Sequence, residues 1–260
     1  MTDVLEQRPR TTTKRGMVPD DLFALTGVGD VRLSPDGRTA AFVVWRLDRD
    51  ENEYKMAIWL APVDGAAPPR QLTAGAKVDT EPRWSPDGTE LAFASNRDGK
   101  AKQLYVMPVA GGEPRRLSNL DEDVSEIAWS PDGTRIAFAS RVPDEALKEE
   151  DERRRAPRRI TRLQYKLDNV GWLEGRRKHL FTVAADGSSE PVQLTHGDYE
   201  DADPTWSPDG SRIAFASARD DDWDVKLVSD VYVVAAEGGE PTRLTAGDAM
   251  VSKPAWSPDG

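Results

Sequence analysis

The 260-residue sequence contains no cysteine. A disulfide framework, a thiolate metal site and a cysteine nucleophile are therefore excluded. Histidine is nearly missing too, with His179 and His196 the only two. Positive charge is in deficit: the formal net charge is -11. A general binder of phosphate backbones would be basic, so nucleic acid is not an expected partner. No apolar run is long enough to span a bilayer, so a membrane is not expected either. The first residues, Met1 to Gly16, are polar and rich in Thr and Arg, with no apolar core of a secretory signal, which makes the cytoplasm the expected location. Gly-x-Ser-x-Gly, Gly-x-x-x-x-Gly-Lys-[Ser/Thr] and His-Glu-x-x-His are all lacking. The chain thus offers no nucleophile elbow, no nucleotide-phosphate cradle and no zinc helix. No catalytic residue, cofactor ligand or metal ligand is assigned.

What the sequence does have is a repeat. Trp84-Ser85-Pro86-Asp87-Gly88 returns at 129–133, 206–210 and 256–260, and at 33–37 with Leu33 replacing the indole. The composition is that of a tight turn. Proline presets φ, aspartate can bond back to nearby main chain, and glycine accepts a positive φ. Near-identical apolar runs follow three of these turns, at 91–95, 136–140 and 213–217, each reading Leu/Ile-Ala-Phe-Ala-Ser. A turn between two strand-like runs is a hairpin. The closing glycines stand at 37, 88, 133, 210 and 260, and the usual step of about 45–50 residues fits one four-stranded propeller blade.

Each repeat supplies four strand candidates. The first ends in the Trp of the turn and the second is the Ala-Phe run. The third covers 57–63, 104–109, 180–184 or 231–235. The fourth ends in Leu72-Thr73, Leu117-Ser118, Leu194-Thr195 or Leu244-Thr245. In the second strands, Leu91 and Phe93 face one way and Ala92 and Ala94 the other. This large/small split suits sheets packed face to face. The repeated Trp is the expected anchor between blades. The expectation is an all-β fold: a β-propeller of four-stranded antiparallel blades, four of them plus the first strand of a fifth. Pro19–Leu25 reads as a short helix with Gly27 to close it. Residues 1–16 read as a disordered leader and 17–260 as an incomplete propeller. The chain opens on Met1 and stops at Gly260, after a turn whose second strand is missing, so the propeller is expected to continue beyond it.

The long step between Gly133 and Gly210 holds an insertion at about 142–171. From Asp144 to Asp168, 15 of 25 residues are charged, and Glu149/Arg153, Glu150/Arg154 and Asp151/Arg155 have i,i+4 spacing, so Asp144–Arg155 reads as an exposed helix ended by Pro157. The basic run Arg153–Lys166 reads as a solvated arm whose charges pair locally. His179 falls in a strand, which suggests packing or hydrogen bonding. His196 stands where sister repeats carry Ala74 and Ala246, which suggests plain loop. The acidic clusters at 121–123, 200–203 and 220–224 lack the spacing of a calcium loop and read as solvated loops.

The repeated turn, the Ile-Ala-Phe-Ala-Ser runs, Val231-Tyr232-Val233-Val234 and Gly238-Gly239-Glu240-Pro241 together resemble the propeller repeat shared by TolB-type proteins and the prolyl-oligopeptidase family of serine peptidases. Asp21–Leu25 with Val28-Gly29-Asp30 resembles the lead-in segment of those peptidases. The insertion ending in 160–165, Gly171-Trp172 and His179-Leu180-Phe181 is similar to the acylaminoacyl-peptidase and dipeptidyl-aminopeptidase-like branch. The resemblance covers about 17–260. It implies a propeller set over a C-terminal α/β-hydrolase domain with a Ser/Asp/His triad, a domain absent from these residues. The propeller would gate entry of short peptides and would be non-catalytic itself. Glu149-Glu150 lacks the surroundings of the dipeptidyl-peptidase branch's glutamate pair. The alternative is a non-catalytic TolB-like propeller that binds other proteins.

Overall fold

A computed structural model describes residues 15–145 and 157–260. After a 3-10 helix at Pro19–Ala24 the chain runs through four sheets of four antiparallel strands. The first holds β1 (Thr26–Leu33), β2 (Thr39–Asp48), β3 (Glu53–Pro62) and β4 (Arg70–Gln71). The second holds β5 (Asp79–Trp84), β6 (Glu90–Ser95), β7 (Gln103–Pro108) and β8 (Arg115–Arg116). The third opens with β9 (Val124–Trp129) and β10 (Arg135–Pro143). A small hairpin, β11 (Lys166–Leu167) with β12 (Gly171–Trp172), then interrupts it before β13 (Arg176–Ala184) and β14 (Val192–Gln193). The fourth holds β15 (Asp201–Trp206), β16 (Arg212–Ser217), β17 (Asp230–Ala235) and β18 (Thr242–Arg243). Each sheet is a blade in simple sequence order. The third strands begin earlier than the apolar runs alone indicate, at Glu53 and Arg176 in β3 and β13, and by a single residue, at Gln103 and Asp230, in β7 and β17.

The serine is the hub of each repeated turn. Ser85 is buried; its Oγ donates to Asp87 Oδ1 at 2.6 Å and accepts the Glu90 N–H at 2.9 Å. Asp87 Oδ1 in turn accepts the Thr89 N–H at 3.0 Å, and Gly88 sits at φ 73°. The Ser–Asp bond recurs at 2.6 Å in Ser34–Asp36, Ser130–Asp132 and Ser207–Asp209. The buried hydroxyl thus both donates and accepts within the turn, as a buried polar group should.

Blades stack large face on small face. Ala92 and Ala94 of the second blade share a core with Ile136 and Phe138 of the third. Ala137 and Ala139 of the third meet Ile213 and Phe215 of the fourth. Leu91 and Phe93 meet Ala41 and Ile58 of the first. The alternation in β6 and β10 is therefore the packing rule itself, and both faces of the second and third blades are dry because each of these blades is sandwiched.

Gly27 does not close the short helix. The residue after that helix, Leu25, is already extended, and Gly27 lies in β1 beneath the Trp45 indole. A Cβ there would stand 2.1 Å from the ring. Glycine is required for close approach rather than for capping. Of the expected leader, residues 1–14 lie outside the described residues, while Arg15 is bound to Asp21. Most of the expected helix Asp144–Arg155, with Glu149-Glu150, lies outside them as well. No helix among the described residues is long and apolar enough to cross a membrane.

Candidate functional site

The first strands of successive blades pack side by side, β5 lying against both β1 and β9, and β9 against β15. They form the inner wall. Each carries a bulge, where the register with the second strand slips. At that bulge a non-glycine residue takes a positive φ: Asp30 at 43°, Glu81 at 55°, Glu126 at 57° and Asp203 at 56°. Such a backbone is costly for a residue with a Cβ. The return is a clasp between blades. Glu81 Oε2 accepts the Glu126 N–H at 2.6 Å, and Glu126 Oε2 accepts the Asp203 N–H at 2.7 Å. Asp203 Oδ2 accepts the Lys253 N–H at 3.0 Å, with Lys253 itself at φ 51°. The signal was legible in the sequence as an acid three residues before Leu33, Trp84, Trp129 and Trp206, with Lys253 at that place before Trp256, and aligning the repeats on the indole would have found it.

The indoles make a second joint. Trp84 Nε1 donates to Arg32 O, Trp129 to Arg83 O, Trp206 to Ala128 O and Trp256 to Thr205 O, at 3.0, 3.0, 3.1 and 3.1 Å. Each acceptor lies just before the corresponding residue of the preceding repeat. The segment 251–256 thus takes a fifth inner station, although it forms no ladder. The clasp carboxylates are taken up by these joints. Burial pushes the Glu81 carboxyl above its ordinary value despite nearby Arg83. Lys178 Nζ lies 2.6 Å from Glu126.

The loops after the second and fourth strands gather at the end of the blades away from the repeated turns. There the two histidines come together, a juxtaposition that sequence order does not disclose. His179 occupies the third-strand station that Gln103 holds in the second blade and Asp230 in the fourth. It is buried, with Nδ1 3.2 Å from Asp201 Oδ2. His196, exposed in the loop after β14, has its ring centroid 6.3 Å away. Asp201 is fully buried and also meets Arg219 at 2.8 Å. Burial pushes its carboxyl up, but hydrogen bonding by His179 and the charge of Arg219 outweigh this and hold it below the usual carboxylate range. Ser140 stands opposite His179 across the β10–β13 ladder, its Oγ donating to Glu122 O at 3.4 Å, and the His179–Asp201 contact ties the third blade to the fourth.

Both histidines line a cavity of about 360 Å3, with Arg176, Arg177, Gln193 and Asp198 among its other walls. The cluster at 200–203 is not a solvated loop, because Asp201 and Asp203 lie in β15 and Glu200 takes both terminal nitrogens of Arg141 at 2.9 and 3.0 Å. The cluster at 220–224 is partly absorbed as well. Asp220 pairs with Arg243, and Asp224 accepts the Leu163 N–H at 2.7 Å. Glu122 pairs with Arg176. No group of three potential metal ligands occurs among the described residues. Of the basic run, Arg158 and Lys166 cover the Trp172 ring and Arg162 pairs with Asp198 and Asp224. Three cations of the described part of that run, Arg158, Arg162 and Lys166, are thus engaged within the fold.

A family profile for the tricorn protease N-terminal beta propeller domain matches residues 52–151. The peptidase YuxL of Bacillus subtilis is 34% identical over 229 residues, which cover 85% of this chain and 34% of that protein. Dipeptidyl-peptidase 5 of Porphyromonas gingivalis is 29% identical over 252 residues, covering 88% of this chain and 35% of that protein. Among solved structures, an acylaminoacyl peptidase of Pyrococcus horikoshii superposes with a TM-score of 0.67 at 17% identity, over 86% of this chain and 33% of that one. A putative TolB from Agrobacterium tumefaciens gives a TM-score of 0.53 at 23% identity, over 90% of this chain and 87% of that one. The chain spans about a third of the length of the curated relatives it matches. With its blades, their shared joints and these relatives in view, the chain is a β-propeller of four-stranded antiparallel blades, similar over 52–151 to the tricorn N-terminal propeller and along most of its length to part of the peptidases YuxL and dipeptidyl-peptidase 5.

Proposed function

We propose that this chain is the substrate-screening propeller of a cytoplasmic serine peptidase that hydrolyses short peptides or removes N-terminal (acyl)aminoacyl residues. The observation that carries this reading is 34% identity to a peptidase across 85% of the chain, in a sequence with no Gly-x-Ser-x-Gly of its own. Peptide hydrolysis of this type needs a serine nucleophile, a histidine to move its proton and backbone donors for the oxyanion. Among the described residues no serine hydroxyl is hydrogen-bonded to either histidine, and this reading assigns the chemistry to another part of the parent protein. The propeller's contribution is selection: an inner wall of paired strands admits a slender peptide and turns away a folded one.

Two assays test the reading. The purified 260-residue chain, offered a chromogenic aminoacyl substrate, should show no turnover; hydrolysis blocked by a serine-directed inhibitor would overturn it. The complete gene product should cut a short peptide but spare the same bond inside a folded carrier protein. Equal rates would remove the screening role, and an inactive complete product would favour the non-catalytic interaction propeller.

A further inference from the structure

Arg177 is an unusual residue for its position. It lies in β13 with its side chain only 4% exposed, and it lines the histidine cavity. Its Nε donates to Asp198 Oδ1 at 2.6 Å. Its two terminal nitrogens, Nη1 and Nη2, have no hydrogen-bond partner among the described residues. Glu200 Oε1 comes no nearer than 3.7 Å to Nη1, and both oxygens of Glu200 already accept from Arg141. The guanidinium rests 4.9 Å over the ring of Trp223, whose own buried Nε1 also lacks a partner. The equivalent residue of the first blade, Lys55, has its charge met by Glu51 and Glu53. Third-blade chemistry therefore departs from the repeat at this point.

A guanidinium has two hydrogen-bonding edges that match a carboxylate. Asp198 uses the Nε side. The terminal edge, Nη1 with Nη2, presents two parallel donors, and its bidentate complement is a carboxylate. Buried charged donors left unmet are costly, so an arrangement that keeps them unmet at a cavity wall fits a site awaiting an acceptor. The cavity, at about 360 Å3, is within the range of small-molecule sites. Described acids near it include Asp144, Asp198, Glu200 and Asp201, of which Asp198 is held by Arg162 and Arg177, Glu200 by Arg141, and Asp201 by His179 and Arg219. We propose that the third-blade cavity binds a small carboxylate ligand, of amino-acid to dipeptide size, through the terminal edge of Arg177. The proposal stands whether or not the parent is a peptidase.

Because the chain has two histidines and both line this cavity, their imidazole proton resonances report on it directly. Three probes are titrated into the full chain at low salt: N-acetyl-glycylglycine, its C-terminal amide, and N-acetyl-glutamate α-amide. Expected are saturable shifts of both histidine signals with at least one of the two carboxylates, and binding of the glycylglycine amide at least about 10-fold weaker than that of the tighter acid. The tighter acid shows whether a chain terminus or an acidic side chain supplies the group. Arg177→Lys, which keeps the charge but loses the fork, should weaken the acid about 10-fold. No histidine shift with either acid, equal binding of the amide, or unchanged binding by a folded Arg177→Lys protein would each overturn the proposal. Should Arg177→Lys fail to fold, the acid-against-amide comparison on the unaltered chain still decides.

Discussion

Replacing Trp206 with alanine tests the joint between blades most directly. This indole is 7% exposed, sits in the core shared by the third and fourth blades, donates to Ala128 O at 3.1 Å and lies 4.9 Å beneath the Arg135 guanidinium. A buried tryptophan removes roughly 150–250 Å2 from water, which at about 25 cal/mol per Å2 is ~4–6 kcal/mol. A compact unfolded chain already hides part of that area, which trims the figure to ~3–5 kcal/mol. Losing the hydrogen bond costs about 1 kcal/mol more, and losing the cation–π contact about 0.5–1 kcal/mol. Relaxation around the gap offsets part of this, so Trp206→Ala is expected to destabilise by about 3–5 kcal/mol, as for other large-to-small aromatic changes. Trp206→Phe, which keeps most of the area but not the N–H, should cost about 1–2 kcal/mol. Urea unfolding followed by far-ultraviolet circular dichroism measures both without relying on indole fluorescence. A loss below about 1 kcal/mol for Trp206→Ala, or one no larger than that of a turn change such as Asp209→Ala, would refute the claim that the indole holds the blades together.

Gly27→Ala should destabilise by about 1–3 kcal/mol, because the new methyl meets the Trp45 ring at 2.1 Å; a neutral thermal midpoint would show that the ring yields freely. Glu126→Ala removes the acceptor for the Asp203 N–H and the partner of Lys178, with an expected cost of about 2–3 kcal/mol in urea unfolding. Glu126→Gln keeps an acceptor oxygen and should recover about half of that, so equal losses would contradict the clasp. The turn carboxylates Asp132 and Asp209 are held at about 2, against 3.8 for the free group, chiefly by hydrogen bonds from Ser130 and Ser207. Their folded values are depressed, so the stability they contribute is present above about pH 4 and is lost as pH falls toward 2. Asp132→Asn with Asp209→Asn should therefore flatten the fall of the thermal midpoint in that window, and an unchanged slope would contradict the assignment.

The fold was legible because its instructions are local and repeated. The Ser-Pro-Asp-Gly turn fixes a hairpin at four of its five copies, and the alternation of Phe93 with Ala92 and Ala94 names the two faces of a sandwiched sheet. The inner-wall clasp was present in the letters but hidden by chemistry: Glu81 and Glu126 look like surface acids until the bulge turns their carboxylates toward the next blade. Gly27 misled for a similar reason, since a glycine after a short helix reads as a cap, and its true constraint comes from Trp45, distant in sequence and adjacent in the sheet. The histidine cavity was the least legible part. Arg177 and His179 share β13, and His196 reaches them because β14 pairs with β13, a meeting that the letters show only once the strand register is known.

The joints between blades are written in main-chain atoms on the receiving side. An indole reaches a carbonyl and an acid reaches an amide, whatever side chains the neighbour displays. Such couplings are indifferent to the identity of the module they grip, so a gene could duplicate, reorder or lose a blade without redesigning its seams. Private features such as the Arg177 recess are then free to diversify one module at a time, as trim carried on interchangeable panels.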